Sequence, residues 1–172
     1  MRNKIRILFI CQGNVYRSAV AEQLLRQFAQ DAGRADRMEI FSRGLQGFNG
    51  TPKPRFTNLR YYDEEWKAVK GTLDELKISL EDHVATPISR EDVAESDYII
   101  AMSQDIYVVL LNAFPDNHSS IHSFGEFEGS VDGIPDPEGQ TDSNKHRMTV
   151  LSIRAGTATI FKHLETWFEN GH

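Results

Sequence analysis

Apolar residues along the chain form several short runs that predict strands. Near-continuous apolar runs occupy residues 5–10 and 98–102, and a third segment with strand character occupies residues 38–42. Continuous apolar runs of this length indicate strands that are covered on both faces by helices. A fourth, weaker strand is predicted around residues 120–124. The pattern therefore predicts a sheet of four strands.

Helical spacing of apolar residues appears between and after these runs. It starts just after Arg17, returns at residues 106–111, and extends over residues 150–168, where it predicts a long final helix. Because strands and helices alternate, we expect an α/β fold with a single open, mostly parallel, four-stranded sheet flanked by helices. A length of 172 residues fits one domain, residues 1–172.

The topology of such a sheet indicates where a ligand would bind. In open parallel sheets, ligands bind beyond the carboxyl ends of the strands. That rule points to the residues directly after Ile10, Ser42 and Met102. Two polar loops that contain glycine and proline, residues 44–56 and 125–144, also stand out, and neither is long or biased enough to be a domain linker.

Charge and cysteine content exclude several classes of protein. The 19 basic and 25 acidic residues give a net charge of −6, which argues against a nucleic-acid partner. Cys11 is the single cysteine, so neither an internal disulfide nor a cysteine zinc site can form. No apolar stretch approaches the roughly 18 residues that span a bilayer. We therefore expect a cytoplasmic protein that has no membrane partner.

The strongest chemical signal is the sequence CQGNVYRS at residues 11–18, between the first strand and the first helix. Backbone N–H groups of such a loop can surround an anion, and the helix N-terminus adds positive potential. Arg17 can bind two oxygens of that anion, and the same surroundings stabilise a thiolate at Cys11. An isolated cysteine at a strand end is usually a small buried residue. The loop around this one favours a nucleophile beneath a bound phosphate.

This loop resembles the signature loop of the low-molecular-weight protein tyrosine phosphatases. The likeness continues at residues 42–44, Ser-Arg-Gly, which resemble the family's Ser-Ala-Gly turn. It extends through residues 83–102, which resemble the segment leading into the third strand. Residues 134–137, Ile-Pro-Asp-Pro, resemble the family's Asp-Pro loop. The resemblance implies a flavodoxin-like fold of the phosphotyrosine phosphatase I type.

The resemblance also implies a role for each matching residue. Cys11 would attack phosphorus and form a phosphocysteine, while Ser18 would stabilise the thiolate. Asp136 would protonate the leaving phenolate and later accept a proton from water. The implied phosphate-binding residues are Gln12, Gly13, Asn14, Val15, Tyr16 and Arg17. The residues implied to hold the loop in shape by hydrogen bonds are Asn14, Ser42 and His83.

Two departures from the family bear on the chemistry of the site. Tyr16 stands where many members have a second cysteine, so a protective disulfide between neighbouring loop cysteines cannot form. Glu138 stands where the family typically has an aromatic residue that lines the substrate cleft. The aromatic residues that could supply this wall are Phe48, Phe56, Tyr61, Tyr62 and Trp66, although aromatics at helical spacing more often belong to the core.

The predicted function is a cysteine-dependent phosphatase that hydrolyses phosphotyrosine in proteins and is inhibited by phosphate or vanadate. The many carboxylates of residues 126–142 lack the spacing of a calcium loop, so we expect no metal and no cofactor. Val15 stands where the resemblance places a threonine in arginine-specific relatives, which favours phosphotyrosine over phosphoarginine.

Two other functions remain open at this point. The first is an arsenate reductase that uses an external small thiol, since related proteins bind arsenate in the same kind of loop. The second is a catalytically silent module that binds an oxyanion or a phosphoprotein. The joint presence of Cys11, Arg17 and Asp136 argues against the silent module, because binding alone does not require an acid.

Overall fold

The computed structural model describes residues 4–170 and contains one parallel sheet in the strand order β2-β1-β3-β4. The four strands are β1 (Ile5–Cys11), β2 (Met38–Gly44), β3 (Tyr98–Ala101) and β4 (Ile121–Ser123). All three strand pairings are parallel, so the predicted sheet is confirmed. The ends of the predicted domain, residues 1–3 and 171–172, lie outside the described residues.

Helices cover both faces of this sheet. They are α1 (Arg17–Asp31), α2 (Asp63–Glu75), α3 (Arg90–Glu95), α4 (Gln104–Ala113), α5 (Gly125–Glu128) and α6 (Ser143–Glu169). Short 3₁₀ turns lie at Ala35–Arg37, Phe48–Gly50, Leu59–Tyr61 and Pro115–Ser120. The helices after Arg17, around residues 106–111 and at the C-terminus were predicted, whereas α2, α3 and α5 were not.

Burial along β1 explains its continuous apolar run. Ile7 and Phe9 contribute to the core beneath α1, α2 and α6, while Leu8 and Ile10 contribute to the core beneath α3 and α4. All four side chains have 0% solvent exposure. Because both faces of the central strand are covered at these four positions, none of them tolerates a polar side chain without a buried partner.

Two helices have an N-cap residue whose side chain accepts hydrogen bonds from backbone N–H groups of the first turn. Asp142 precedes α6, and its carboxylate accepts hydrogen bonds from the N–H groups of Asn144 and Lys145 at 2.8 and 3.2 Å. Ser89 and Asp92 form a reciprocal capping box at the start of α3. Both caps satisfy donors that a helix N-terminus otherwise leaves without partners.

The register of β1 and β2 fixes the position of the loop that follows β1. Cys11 pairs with Gly44, and the N–H groups of Leu45 and Gln46 donate to the carbonyls of Cys11 and Gln12. A Cβ at Gly44 would lie 2.8 Å from the carbonyl carbon of Gly13. Glycine is therefore required at this strand end, because the two chain segments approach too closely for any side chain.

We expect opposite stability effects from alanine at two helical glycines. In α6, a Cβ at Gly156 would lie 2.4 Å from Cζ of the buried Phe124. Gly156→Ala should lower the free energy of unfolding by about 1–3 kcal/mol, because it overpacks the core. In α2, a Cβ added at Gly71 would meet no atom within 4 Å, so Gly71→Ala should raise the free energy of unfolding by about 0.5–1 kcal/mol. Urea unfolding measures both, and two changes of the same sign would contradict this account.

Candidate active site

The sulfur of Cys11 lies at the base of the loop formed by residues 11–18, hereafter the phosphate loop. The Ser18 hydroxyl lies 3.0 Å from Sγ, and the N–H of Asn14 donates to Sγ at 3.3 Å. Cys11 is 3% exposed and Ser18 is fully buried. A hydroxyl and an amide N–H directed at a buried sulfur stabilise its anionic form.

Free N–H groups of the phosphate loop surround the space above this sulfur. Among the described residues, no acceptor takes the backbone N–H groups of Gly13, Val15 or Tyr16. The helix α1 begins directly afterwards, at Arg17, so its positive end faces the same space. The loop residues that line the cleft are Cys11, Gln12, Gly13, Val15, Tyr16 and Arg17. This concavity suits a tetrahedral oxyanion.

The guanidinium of Arg17 is buried and held from several directions. Its Nη1 donates to the carbonyl of Ile134 at 2.8 Å and to the hydroxyl of Ser103 at 3.2 Å. Its Nη2 lies 3.4 Å from Oδ2 of Asp136. The Ser103 hydroxyl in turn donates to Asp105, and this hydrogen bond lowers the pKa of Asp105 below its ordinary value. Arg17 is thus positioned before any ligand binds.

Asn14 organises the phosphate loop from behind. It adopts a left-handed backbone conformation with φ of 57°, and its amide donates to the hydroxyls of Ser18 and Ser42, both at 2.9 Å. Its Oδ1 accepts the N–H of Thr86 at 3.0 Å, and its carbonyl accepts Nε2–H of His83 at 2.6 Å. The structure therefore brings together Asn14, Ser42 and His83, and it places the Asn14 side chain outside the cleft.

Asp136 lies across the cleft in the segment of residues 134–140, hereafter the acid loop. Its side chain is 49% exposed, and its Oδ1 accepts the N–H of Glu138 at 3.0 Å. The helix α2 supports this loop, because Glu65 Oε1 accepts the N–H of Gly139 at 2.9 Å. The carboxylate of Asp136 is thus accessible from the cleft, and hydrogen bonds hold the loop that carries it.

The cleft walls combine apolar and charged residues. Pro54, Leu59, Tyr62 and Pro137 supply apolar surface, and Arg55, Glu65 and Glu138 supply charge. Of the aromatic residues considered from the sequence, Tyr62 lines the cleft. The other four do not line the cleft: Phe56 packs against both Tyr61 and Tyr62, Phe48 packs against Phe114, and Trp66 packs against the core.

Neither a metal site nor a membrane helix is found in the part of the chain that the structure describes. No group of three or more histidine, cysteine, aspartate or glutamate side chains within residues 4–170 could hold a metal ion. None of the helices in the same range is long and apolar enough to cross a bilayer.

The fold and the phosphate loop together define a class of protein. Its members have a parallel α/β sheet in which a cysteine at the end of a strand lies at the base of an oxyanion-binding loop. A family model described as low molecular weight phosphotyrosine protein phosphatase matches residues 6–168. The chain therefore belongs to this family, as the resemblance of its loops predicted.

Individual relatives support the same assignment. The low molecular weight phosphotyrosine protein phosphatase of Dictyostelium discoideum is 31% identical over 134 residues, which cover 73% of this chain and 74% of that protein. The low molecular weight protein-tyrosine-phosphatase Ptp of Acinetobacter johnsonii is 28% identical over 158 residues, 92% of this chain and 96% of its own. The crystal structure of YfkJ from Bacillus subtilis superposes with a TM-score of 0.74 at 25% identity, covering 96% of this chain and 97% of that one.

Three residues that shape the site were not singled out from the sequence: Ser103, Glu65 and His146. Ser103 directly follows Met102, one of the strand ends to which the topology points, so a signal for it was present. Glu65 and His146 lie on α2 and α6 and carry no local signal. Their contacts with the acid loop exist only in the folded chain.

Asn14→Gly tests what the side-chain contacts of Asn14 contribute to activity while its backbone conformation is kept. Glycine adopts the positive φ but loses the amide bonds to Ser18 and Ser42. We expect kcat for an aryl phosphate to fall by at least about 10-fold, because misplaced loop donors align poorly with the reacting group. Asn49→Gly is the matched control, since Asn49 also has a positive φ, of 50°, but is exposed. An equal effect of both substitutions would contradict this role of Asn14.

Proposed function

We propose that this protein hydrolyses phosphotyrosine in proteins through a phosphocysteine intermediate. The observation that carries the proposal is the placement of the Cys11 sulfur, which lies 3.0 Å from the Ser18 hydroxyl beneath the free N–H groups of the phosphate loop. Membership of a family whose named members are protein-tyrosine-phosphatases, which are hydrolases, supports the same reaction.

In the first step, the thiolate of Cys11 attacks phosphorus opposite the ester oxygen. The S–P bond forms while the P–O bond to the tyrosine ring breaks, and the proton of the Asp136 carboxylic acid passes to the leaving phenolate. The products are the dephosphorylated tyrosine and a phosphocysteine. Ser18 stabilises the sulfur anion before attack.

In the second step, water hydrolyses the phosphocysteine. The Asp136 carboxylate takes a proton from the water, whose oxygen forms a P–O bond as the S–P bond breaks. Inorganic phosphate leaves, and Cys11 returns to the thiolate, again stabilised by Ser18. No oxidant, metal or organic cofactor takes part in this sequence.

Arg17 and the loop N–H groups hold the phosphoryl oxygens in both steps. Arg17 is paired with Asp136 at 3.4 Å in the free protein, so an arriving phosphate competes with the carboxylate for the guanidinium. Bonds to Ile134 and Ser103 keep Arg17 in place when that exchange occurs. Free phosphate and vanadate present similar oxygens and therefore act as competitive inhibitors.

The shape and polarity of the cleft favour a phosphorylated aromatic ring. Leu59 and Tyr62 offer an apolar wall, and the buried Cys11 sulfur lies at the base of the loop, which favours the long stem of phosphotyrosine over the short stem of phosphoserine. Val15 lines the cleft with methyl groups that neither donate nor accept a hydrogen bond, so it offers nothing to a guanidinium. Phosphotyrosine is therefore the proposed substrate group, rather than phosphoarginine.

The proposed setting is the cytoplasm, because Cys11 must remain a free thiol to act. The proposed partners are phosphotyrosine-containing proteins. The net charge of −6 gives no general attraction to nucleic acids or anionic membrane surfaces.

Cys11→Ser should abolish turnover of aryl phosphates while phosphate and vanadate still bind, because the N–H groups and Arg17 bind the anion and only the thiolate attacks it. Hydrolysis measured together with calorimetric vanadate binding tests this. Normal turnover by the variant would remove the nucleophile role. A wild type that binds anions without hydrolysing any ester would instead be a silent binding module.

Asp136→Asn should slow hydrolysis of phenyl phosphate by about 10²–10⁴-fold, the usual contribution of a positioned general acid. Strongly acidic phenols leave as phenolates without needing a proton. For their phosphate esters, the rate of the cysteine-phosphorylation step should therefore fall much less. A pre-steady-state series of leaving groups measures the contrast. Equal losses across the series would reject the acid role.

Phosphotyrosine peptides should be better substrates than phosphoarginine peptides, and Val15→Thr should narrow this preference by adding a hydroxyl to the cleft. Competition between the two peptides on one preparation measures the ratio of kcat/KM values. A wild type that prefers phosphoarginine, or that reduces arsenate with an added thiol faster than it hydrolyses aryl phosphates, would overturn the proposed substrate.

A further inference from the structure

A buried tyrosine–histidine pair joins the phosphate loop to the first turn of α6. The Tyr16 hydroxyl lies 2.7 Å from Nδ1 of His146, and the two rings stack with centroids 5.5 Å apart. His146 is 0% exposed and Tyr16 is 6% exposed. Neither the family resemblance nor the catalytic steps above require a histidine at this position.

Hydrogen bonding at Nε2 of His146 determines which group of the pair donates and which accepts. Nε2 of His146 lies 2.6 Å from the carbonyl oxygen of Gln140, which only accepts, so Nε2 carries the hydrogen. In the neutral ring, Nδ1 is then an acceptor for the Tyr16 hydroxyl. Burial raises the pKa of Tyr16 well above its ordinary value, so this hydroxyl remains a donor.

The carbonyl at the end of this chain of hydrogen bonds belongs to the acid loop. The N–H of Gln140 donates to the carbonyl of Pro137 at 3.0 Å, which closes a tight turn directly after Asp136. The N–H of Glu138, within the same turn, donates to Oδ1 of Asp136. A displacement of Gln140 therefore moves the turn on which the Asp136 carboxylate depends.

Two consecutive residues of the phosphate loop thus hold the two ends of the acid loop. Arg17 binds the carbonyl of Ile134 at 2.8 Å, at the start of the loop. Tyr16 reaches Gln140, at its end, through His146. The loop that carries the acid and the loop that carries the nucleophile are thus joined at both ends of the acid loop.

We propose that Tyr16 and His146 form a positioning pair that holds Asp136 at the distance from Cys11 required to protonate the leaving group. His146 does not line the cleft, so it acts through Gln140 rather than on the substrate. The inference rests on the proposed acid role of Asp136. A purely structural pair would instead stabilise α6 without any effect on the proton transfer.

Two substitutions interrupt the chain of hydrogen bonds at different points. Tyr16→Phe keeps the stacked ring and removes only the hydroxyl bond to Nδ1. His146→Asn retains an acceptor near Nδ1 for Tyr16 and loses the bond to Gln140. The matched control is Tyr98→Phe, because the Tyr98 hydroxyl also lies near a histidine, at 3.2 Å from Nε2 of His163. Tyr98 is the first residue of β3, whereas the cleft lies at the carboxyl ends of the strands.

The readout is the dependence of the cysteine-phosphorylation rate on the leaving group. For phenyl phosphate, we expect Tyr16→Phe and His146→Asn to lower this rate by about 10-fold, because a small misplacement of the acid weakens proton transfer. For an ester of a strongly acidic phenol, the rate should change by less than about twofold, and the inhibition constant of phosphate should stay the same. Tyr98→Phe should leave both rates unchanged.

Asp136→Asn, measured in parallel, separates the two proposals. If Asp136→Asn slows both leaving groups equally, the acid role fails and the positioning inference fails with it. If Asp136→Asn is selective but Tyr16→Phe and His146→Asn slow both leaving groups equally, or neither, only the positioning inference is overturned. In the Asp136→Asn background, Tyr16→Phe should cause no further loss with phenyl phosphate, and an additive loss would also overturn it.

Discussion

The reaction that we propose requires a negative charge on the buried sulfur of Cys11, and the surrounding structure meets this requirement. A thiolate that is 3% exposed is costly unless hydrogen-bond donors replace the water it has lost. The N–H of Asn14 and the hydroxyl of Ser18 supply such donors directly. The positive end of α1, which begins at Arg17, adds favourable potential. The same arrangement that favours the sulfur anion also favours a phosphate above it, so one set of donors serves both reactants.

Holding those donors in place requires contacts from distant parts of the chain. Asn14 has a positive φ, and its amide contacts and the bond from His83 hold it in that conformation. Gly44 lets the end of β2 approach the loop, and Ser103 after β3 anchors the guanidinium. The carboxyl ends of β1, β2 and β3 therefore each contribute a contact that shapes the same small volume.

The sequence predicted those parts of the molecule whose signals are local. The apolar runs of β1 and β3 and the spacing from Cys11 to Arg17 each lie within one short segment, which is why the sheet and the loop were predicted. The helix α2 was not predicted because its buried residues are few, although its acidic first turn is a signal for the start of a helix. The contacts of Glu65 and His146 with the acid loop, and the choice of Tyr62 as the aromatic wall, depend on tertiary packing that no local pattern encodes.

The central claim is that phosphate passes through the sulfur of Cys11, and a direct search for that intermediate tests it. Asp136→Asn, given a phosphate ester of a strongly acidic phenol, should form the phosphocysteine readily and hydrolyse it slowly, because the base of the second step is missing. Rapid quenching followed by peptide mass spectrometry should then find phosphate on Cys11 in most of the chains. Turnover of the ester with no phosphate on Cys11, or with phosphate on a different residue, would contradict the account.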